Sequence, residues 1–197
     1  MKCCLLPLLY ICLAQTLWSQ APLVKMWDKR FGGTEDDELR SFQQTTDGGY
    51  ILGGSSESGV GGDKTQSSYA VYDYWVVKID SLGNKQWDKS FGGTDNDHLS
   101  SLIQTIDQGY ILGGWSYSGI SGDKTQVSWG SSDYWIIKID SLGNKEWDKD
   151  FGGTSTEEYF ENINQTPDGG YLLSGILYSA AGGDKSEKNL GISKYGL

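Results

Sequence analysis

A 22-residue stretch that occurs twice constrains this chain more than any other feature. Asp73–Thr94 reads DYWVVKIDSLGNKQWDKSFGGT and Asp133–Thr154 reads DYWIIKIDSLGNKEWDKDFGGT. The two differ only at Val76/Ile136, Val77/Ile137, Gln86/Glu146 and Ser90/Asp150. The second half returns once more, earlier, as WDKRFGGT at Trp27–Thr34, which spaces Trp27, Trp87 and Trp147 by 60 residues each. A period of that length marks a repeat architecture, in which each supersecondary unit buries its apolar face against its neighbours.

Within each unit four strand-like segments recur. In the second unit Leu99–Ile106 is a half-apolar run and Asp107-Gln-Gly109 a turn, matching Asp47-Gly-Gly49 and Asp168-Gly-Gly170. Turns of this kind supply the positive φ angles that tight hairpins need. Tyr110–Ser116 reads as the second strand, and a Gly/Ser-rich connection, Tyr117–Ser132, carries Ser-Gly-Asp-Lys-Thr-Gln. Tyr134–Asp140 is β-branched and aromatic, as strands prefer. It is apolar on both alternations, with Trp135, Ile137 and Ile139 on one face and Tyr134 and Ile136 on the other, which predicts a strand packed on both sides. After the turn Ser141–Asn144, Lys145–Phe151 alternates Trp147, Lys149, Phe151 with Glu146, Asp148, Asp150, a partly exposed outer strand. No stretch shows a 3.6-residue apolar period, and 28 glycines against three prolines suit short strands and tight turns.

These features predict an all-β fold of β-propeller-like repeats, each a four-stranded antiparallel blade, incomplete at two full blades plus partial ones. The glycine pairs Gly53-Gly54 and Gly113-Gly114 would let neighbouring sheets approach closely. A repeating β-sandwich array is the structural alternative. The combination DYWxxKxDxxGNxxWxKxFGG, QTxDGGYxLxG and SGDKT resembles the roughly 60-residue propeller-like repeats of secreted Bacteroidetes proteins, which often end in a type IX secretion sorting domain. The resemblance covers nearly all of residues 25–197 and implies export and architecture, with no established enzymatic activity; a C-terminal sorting domain is not seen here. A weaker resemblance is to the tryptophan-docking repeats of quinoprotein propellers. Asp80, Gly83 and Trp87 would link the third and fourth strands, Asp accepting turn N–H groups and Trp filling the gap between blades. In that strand order the chain reads as one outer strand (Lys25–Phe31), two complete blades and the start of a third.

Residues 1–20 read as a signal peptide and 21–197 as the repeat domain, with units near 25–84, 85–144 and 145–197. Met1-Lys2 is followed by the apolar run Cys3–Leu17 and by small residues at Ser19–Ala21. A lipoprotein anchor at Cys12 is the rival reading. Cys3, Cys4 and Cys12 all lie in the leader, so the mature chain would hold no disulfide and no thiolate metal site. The expected location is secreted or cell-surface, with the periplasm as the other option. A net charge of −10 argues against nucleic-acid and membrane-surface partners, and no apolar run suits membrane insertion. Near the end Gly191–Leu197 aligns with Gly130–Ile136 on a shift of 61. Truncation of a longer protein, or a ring completed with other copies, would account for so few units.

The chemistry-bearing motifs of nucleotide-binding loops, nucleophile elbows and EF-hands are absent. His98 is the single histidine, expected on a solvated connecting loop. The strand order puts the Gly-Gly-Thr loops and the long Gly-Asp-Lys loops on one side. There Asp63, Asp123 and Asp184, with Trp115, Tyr117 and Trp129, form the candidate ligand-binding set, and Tyr69 and Tyr72 lie nearby. Carboxylates beside exposed aromatics suit a glycan, or calcium through oxygen ligands, although no cofactor is required. The plainer alternative is loop chemistry, Asp fixing a turn and Lys pairing locally. Acidic clusters recur with every unit, whereas catalytic residues occur once, so the expectation is a non-enzymatic binding or cell-surface interaction module for a glycan or protein. The alternatives are a propeller-scaffold enzyme, a glycan hydrolase or quinoprotein, and a structural fragment without a ligand.

Overall fold

The computed structural model describes residues 25–154, 158–179, 182–184, 186 and 194–196; the leader at 1–20 lies outside them. Among the described residues there is no helix, and the fold is all-β. The first sheet runs in the order β1 (Asp37–Gln44), β2 (Tyr50–Ser56), β3 (Asp73–Ile79), β4 (Lys85–Phe91). The second repeats it with β5 (Asp97–Gln104), β6 (Tyr110–Ser116), β7 (Asp133–Ile139) and β8 (Lys145–Phe151). The third holds β9 (Glu158–Gln165), β10 (Tyr171–Leu177) and β11 (Lys194–Gly196) in the order β11-β10-β9. Every pairing is antiparallel between strands consecutive in the chain.

The turns follow from their side chains. Asp80 accepts from the N–H groups of Leu82 and Asn84, both at 2.8 Å, while Gly83 takes φ 78°; Asp140 does the same for Leu142 and Asn144. Asp47 accepts from Gly49 N–H at 3.0 Å and Asp107 from Gly109 N–H at 3.0 Å. Gly48 and Gly169 have positive φ there, and Gln108 holds the same conformation without being glycine.

The sheets stack face to face, because β3 and β7 are apolar on both sides. Tyr74 and Val76 of β3 pack with Leu99, Leu102, Trp135 and Ile137 of the second sheet. Tyr134 and Ile136 turn to the third sheet and meet Phe160 and Ile163. The two-sided packing expected of Tyr134–Asp140 is therefore present. Each large buried side chain contributes about 1.5–3 kcal/mol. The first strands of adjacent sheets also trade polar contacts: Leu102 N–H donates to Ser41 Oγ (3.2 Å) and Gln104 N–H to Gln43 Oε1 (2.6 Å). In return Gln104 Oε1 accepts from Thr46 N–H (2.9 Å). Edge groups that would otherwise need water are thus satisfied between sheets.

One expectation needs correction. Lys25–Phe31 is not a strand: the strand it should pair with, a third strand ahead of it, is missing among the described residues. It nevertheless lies against the first sheet as β4 lies against the second, Trp27 and Lys29 closing on Gly83 as Trp87 and Lys89 close on Gly143. Ring pairs repeat the relation, with Trp27–Tyr50 at 5.8 Å, Trp87–Tyr110 at 6.0 Å and Trp147–Tyr171 at 6.3 Å. β8 is the partly exposed outer strand that was expected, with Asp148 and Asp150 on its buried side and Trp147 and Phe151 on the exposed one. The long connection folds over the carboxylate side, Thr125 giving its N–H and hydroxyl to Asp148 at 2.9 and 2.6 Å.

Candidate functional site

The long connections β2–β3 and β6–β7 are held from inside by a lysine. Lys64 is buried, with its ammonium on Ser56 Oγ (3.0 Å) and Ser68 Oγ (2.6 Å). Lys124 repeats this with Ser116 and Ser128, both at 3.1 Å, and adds an ion pair with Asp150 at 2.5 Å. Burial lowers the Lys64 pKa, against the pull of the Asp73, Asp37 and Asp88 carboxylates. The backbone of each connection is pinned as well, Asp73 accepting from Tyr69 N–H and Asp133 from Trp129 N–H, both at 2.5 Å. These anchors make the connection a fixed part of the fold and place its aromatic residues.

The aspartates singled out in the sequence tie each connection to a glycine corner. Asp63, Asp123 and Asp184 donate their N–H groups to the carbonyls of Gly32, Gly92 and Gly152 at 2.9, 2.8 and 3.0 Å. Asp63 Oδ2 also accepts from Gly32 N–H (3.2 Å), and Asp123 Oδ2 from Gly92 N–H (3.4 Å). The Gly-Gly-Thr corners and the Gly-Asp-Lys connections do share one side. Trp129 Nε1 donates to Asp184 Oδ2 at 3.1 Å, so these two members of the set meet. One repeat earlier Tyr69 stands where Trp129 does; the Asp123 carboxylate raises its phenol pKa, and both line a cleft with Lys89 and Asn144.

Trp115 belongs elsewhere. It is the cross-strand partner of His98, and their rings stack at 5.1 Å with 24° between planes. Tyr72 also lies against His98 at 4.9 Å, Tyr159 meets Trp115 edge-on at 5.5 Å, and Tyr178 meets Tyr159 at 6.4 Å. Five rings thus form one row across all three sheets, at the end where the long connections lie. His98 is on β5 and half-buried, not on a solvated connection, and burial lowers its pKa. Tyr72 is fixed by its backbone, its N–H on Asn96 Oδ1 (3.2 Å) and its carbonyl accepting from Asp97 N–H (2.7 Å). A hydrogen bond to Glu57 pushes its phenol up to about 12, with Asp36 and Glu38 adding charge at that end. Tyr117 is tied to the row's support through its N–H on Asn96 O at 3.0 Å.

The six sequence-derived residues therefore do not form one site: Trp129 meets Asp184, Asp63 and Asp123 each sit at their own glycine corner, and Trp115 and Tyr117 lie with the aromatic row. The row holds the residues that sequence reasoning passed over: His98, Tyr159 and Tyr178. A signal for them existed. Equivalent positions are Glu38, His98 and Tyr159; Ser55, Trp115 and Ile176; and Glu57, Tyr117 and Tyr178, so all but the last set differ in every unit. Among the described residues no three carboxylate, histidine or cysteine groups gather to hold a metal ion, and no helix is long and apolar enough to cross a membrane. Neither protein-family models nor curated proteins gave a match to this chain.

Proposed function

We propose that the chain is an exported, non-enzymatic repeat protein that binds a glycan or protein surface through the row Tyr72–His98–Trp115–Tyr159–Tyr178. Its sheets are read as propeller-like blades of the Bacteroidetes repeat type, with the row at one end of the stack. One observation carries the reading: scaffold positions recur from unit to unit, whereas four of the five row residues, Tyr178 aside, stand where no other unit has the same residue. Selection for packing alone has no need of a His, a Trp and two Tyr at those places. Rigid aromatic side chains bury area at little entropic cost, which is why binding hot spots favour them. His98 and Trp115 cover one another's faces, so a ligand meets the row along its edge and on Tyr178, the most open ring. The carboxylates of Asp36, Glu38 and Glu57 give one end a negative rim, and the net charge of −10 supports a partner that is neither nucleic acid nor an anionic membrane.

The test is binding of the purified chain to a glycan panel and to extracellular protein surfaces, with Trp115→Ala and Tyr178→Ala compared. Loss of a hot spot of about 2 kcal/mol lowers affinity about 30-fold. Unchanged affinity in a double variant that melts like the parent would remove the row from the site, and turnover of any glycan would remove the non-enzymatic reading. Replacement of Trp129 as well as Trp115 and Tyr117 distinguishes the row from the Asp184 corner.

A further inference from the structure

The first sheet turns an apolar face outward that is covered at every equivalent place. Leu39 is 61% exposed and Phe42 68%, while their counterparts Leu99 and Leu102 are 1% and 2% exposed beneath the first sheet. With Leu52, Trp75 and Val77 they line a cleft of about 430 Å³. The segment Lys25–Phe31 closes one side of it, in the place a fourth strand takes against the following sheet, yet pairs with no strand. The third sheet shows the converse. It has three strands among the described residues, β11 pairs on one edge with β10, and Leu172 on its outer face is exposed where Ile51 and Ile111 are buried.

We propose that the occupant of the open face is the third sheet of a second copy of this chain. The Lys25–Phe31 segment of the first copy adds beside β11 of the second as a fourth strand. The completed sheet then covers Leu39, Phe42 and Trp75 as the first sheet covers Leu99, Leu102 and Trp135. The contact is head-to-tail, so two copies that make it reciprocally close a ring. The internal interfaces supply the fit, since the same contact is made twice within one chain. One residue departs from it: Ser174 stands where Gly53 and Gly113 admit Leu102 and Phe160. Those contacts are with side-chain ends, so Phe42 turns aside from Ser174 without a backbone shift.

Mass measurement across a concentration series tests this on the whole chain. The parent is expected at twice the chain mass, and the double variant Leu39→Asp/Phe42→Asp at the mass of one chain with its sheet content retained, since both side chains are exposed. Strand addition has its own readout. In the register of β3 with β4, Trp75 faces Ser90, which places Gly196 of one copy opposite Arg30 of the other. With Cys3, Cys4 and Cys12 changed to Ser, an Arg30→Cys chain mixed with a Gly196→Cys chain is expected to give a disulfide-linked pair that neither forms alone. A parent that stays at single-chain mass at the highest concentration overturns the proposal. So does an assembly indifferent to the double Asp variant, and so does one in which the mixed cysteine chains fail to cross-link.

Discussion

Lys64 and Lys124 occupy the same place in successive repeats but face different partners, because Ser90 in the first repeat is Asp150 in the second. Burial pushes the Asp150 carboxyl up to about 7 despite the Lys124 ammonium, with Asp133 beside it adding to the rise. Burial likewise lifts Asp73 and Asp97 to about 6. A carboxyl whose pKa is higher folded than unfolded favours folding in its neutral form, so this contribution is complete below the unfolded value and is lost as pH rises through the folded one. Asp47 and Asp107 act the other way, held at about 2 by the hydroxyls of Thr45 and Thr105 and by Lys78 and Lys138. Their contribution is lost only as pH falls towards about 2. Thermal melts are expected to peak near about pH 4–5 and decline towards pH 8. Asp150→Ser, which recreates the first repeat's arrangement, should flatten the decline between about pH 6 and 8. A chain as stable at pH 8 as at pH 5 would contradict this.

At the scale of the strand, the glycine pairs separate into two kinds. A side chain at Gly54, Gly114 or Gly175 would meet the backbone carbonyl of Glu38, His98 or Tyr159, brought close by the irregular register of the facing strand. At Gly53 or Gly113 it would meet only side chains, the ends of Leu102 and Leu99 or of Phe160 and Ile136. The first kind is glycine in all three sheets, whereas the second has become Ser174 in the third. Urea denaturation should therefore show Gly53→Ala costing about 1–3 kcal/mol, as overpacking does, and Gly54→Ala costing more. Equal costs would mean that the backbone contact yields as easily as a side chain. The strands themselves were legible: Tyr110–Ser116 and Lys145–Phe151 match their expected bounds, and Leu99–Ile106 shifted by two residues to Asp97–Gln104. That shift is what brings His98 into β5 and opposite Trp115. The row stayed hidden because its rings come from five places in the chain and meet only once three sheets are stacked. The loop lysine read as pairing locally, because composition does not reveal that a connection folds back over its own ammonium.

For the molecule as a whole, position in the stack decides what a residue contributes. Leu39 and Leu99 are the same residue at the same place in the repeat, yet one is open and the other enclosed. At a concentration where copies are apart, Leu99→Ala is expected to cost about 2–5 kcal/mol and Leu39→Ala within about 0.5 kcal/mol. Comparable losses would show that the first sheet's face is covered in the single chain. The near-identity of the two hairpins has a consequence in time as well. β2 pairs with β3 from Tyr50↔Ile79 to Ser56↔Asp73, and β6 with β7 in the same register from Tyr110↔Ile139 to Ser116↔Asp133. During refolding β7 thus offers β2 nearly the partner that β3 does, one whole repeat out of step. The intended pairing closes the loop between residues 56 and 73 and the mistaken one the loop between 56 and 133, a little over two doublings in length. That difference in closure entropy is about 1.4 kcal/mol, so local contacts win at first encounter by only about tenfold. A minority of chains is left to undo a mispaired hairpin before the stack can form.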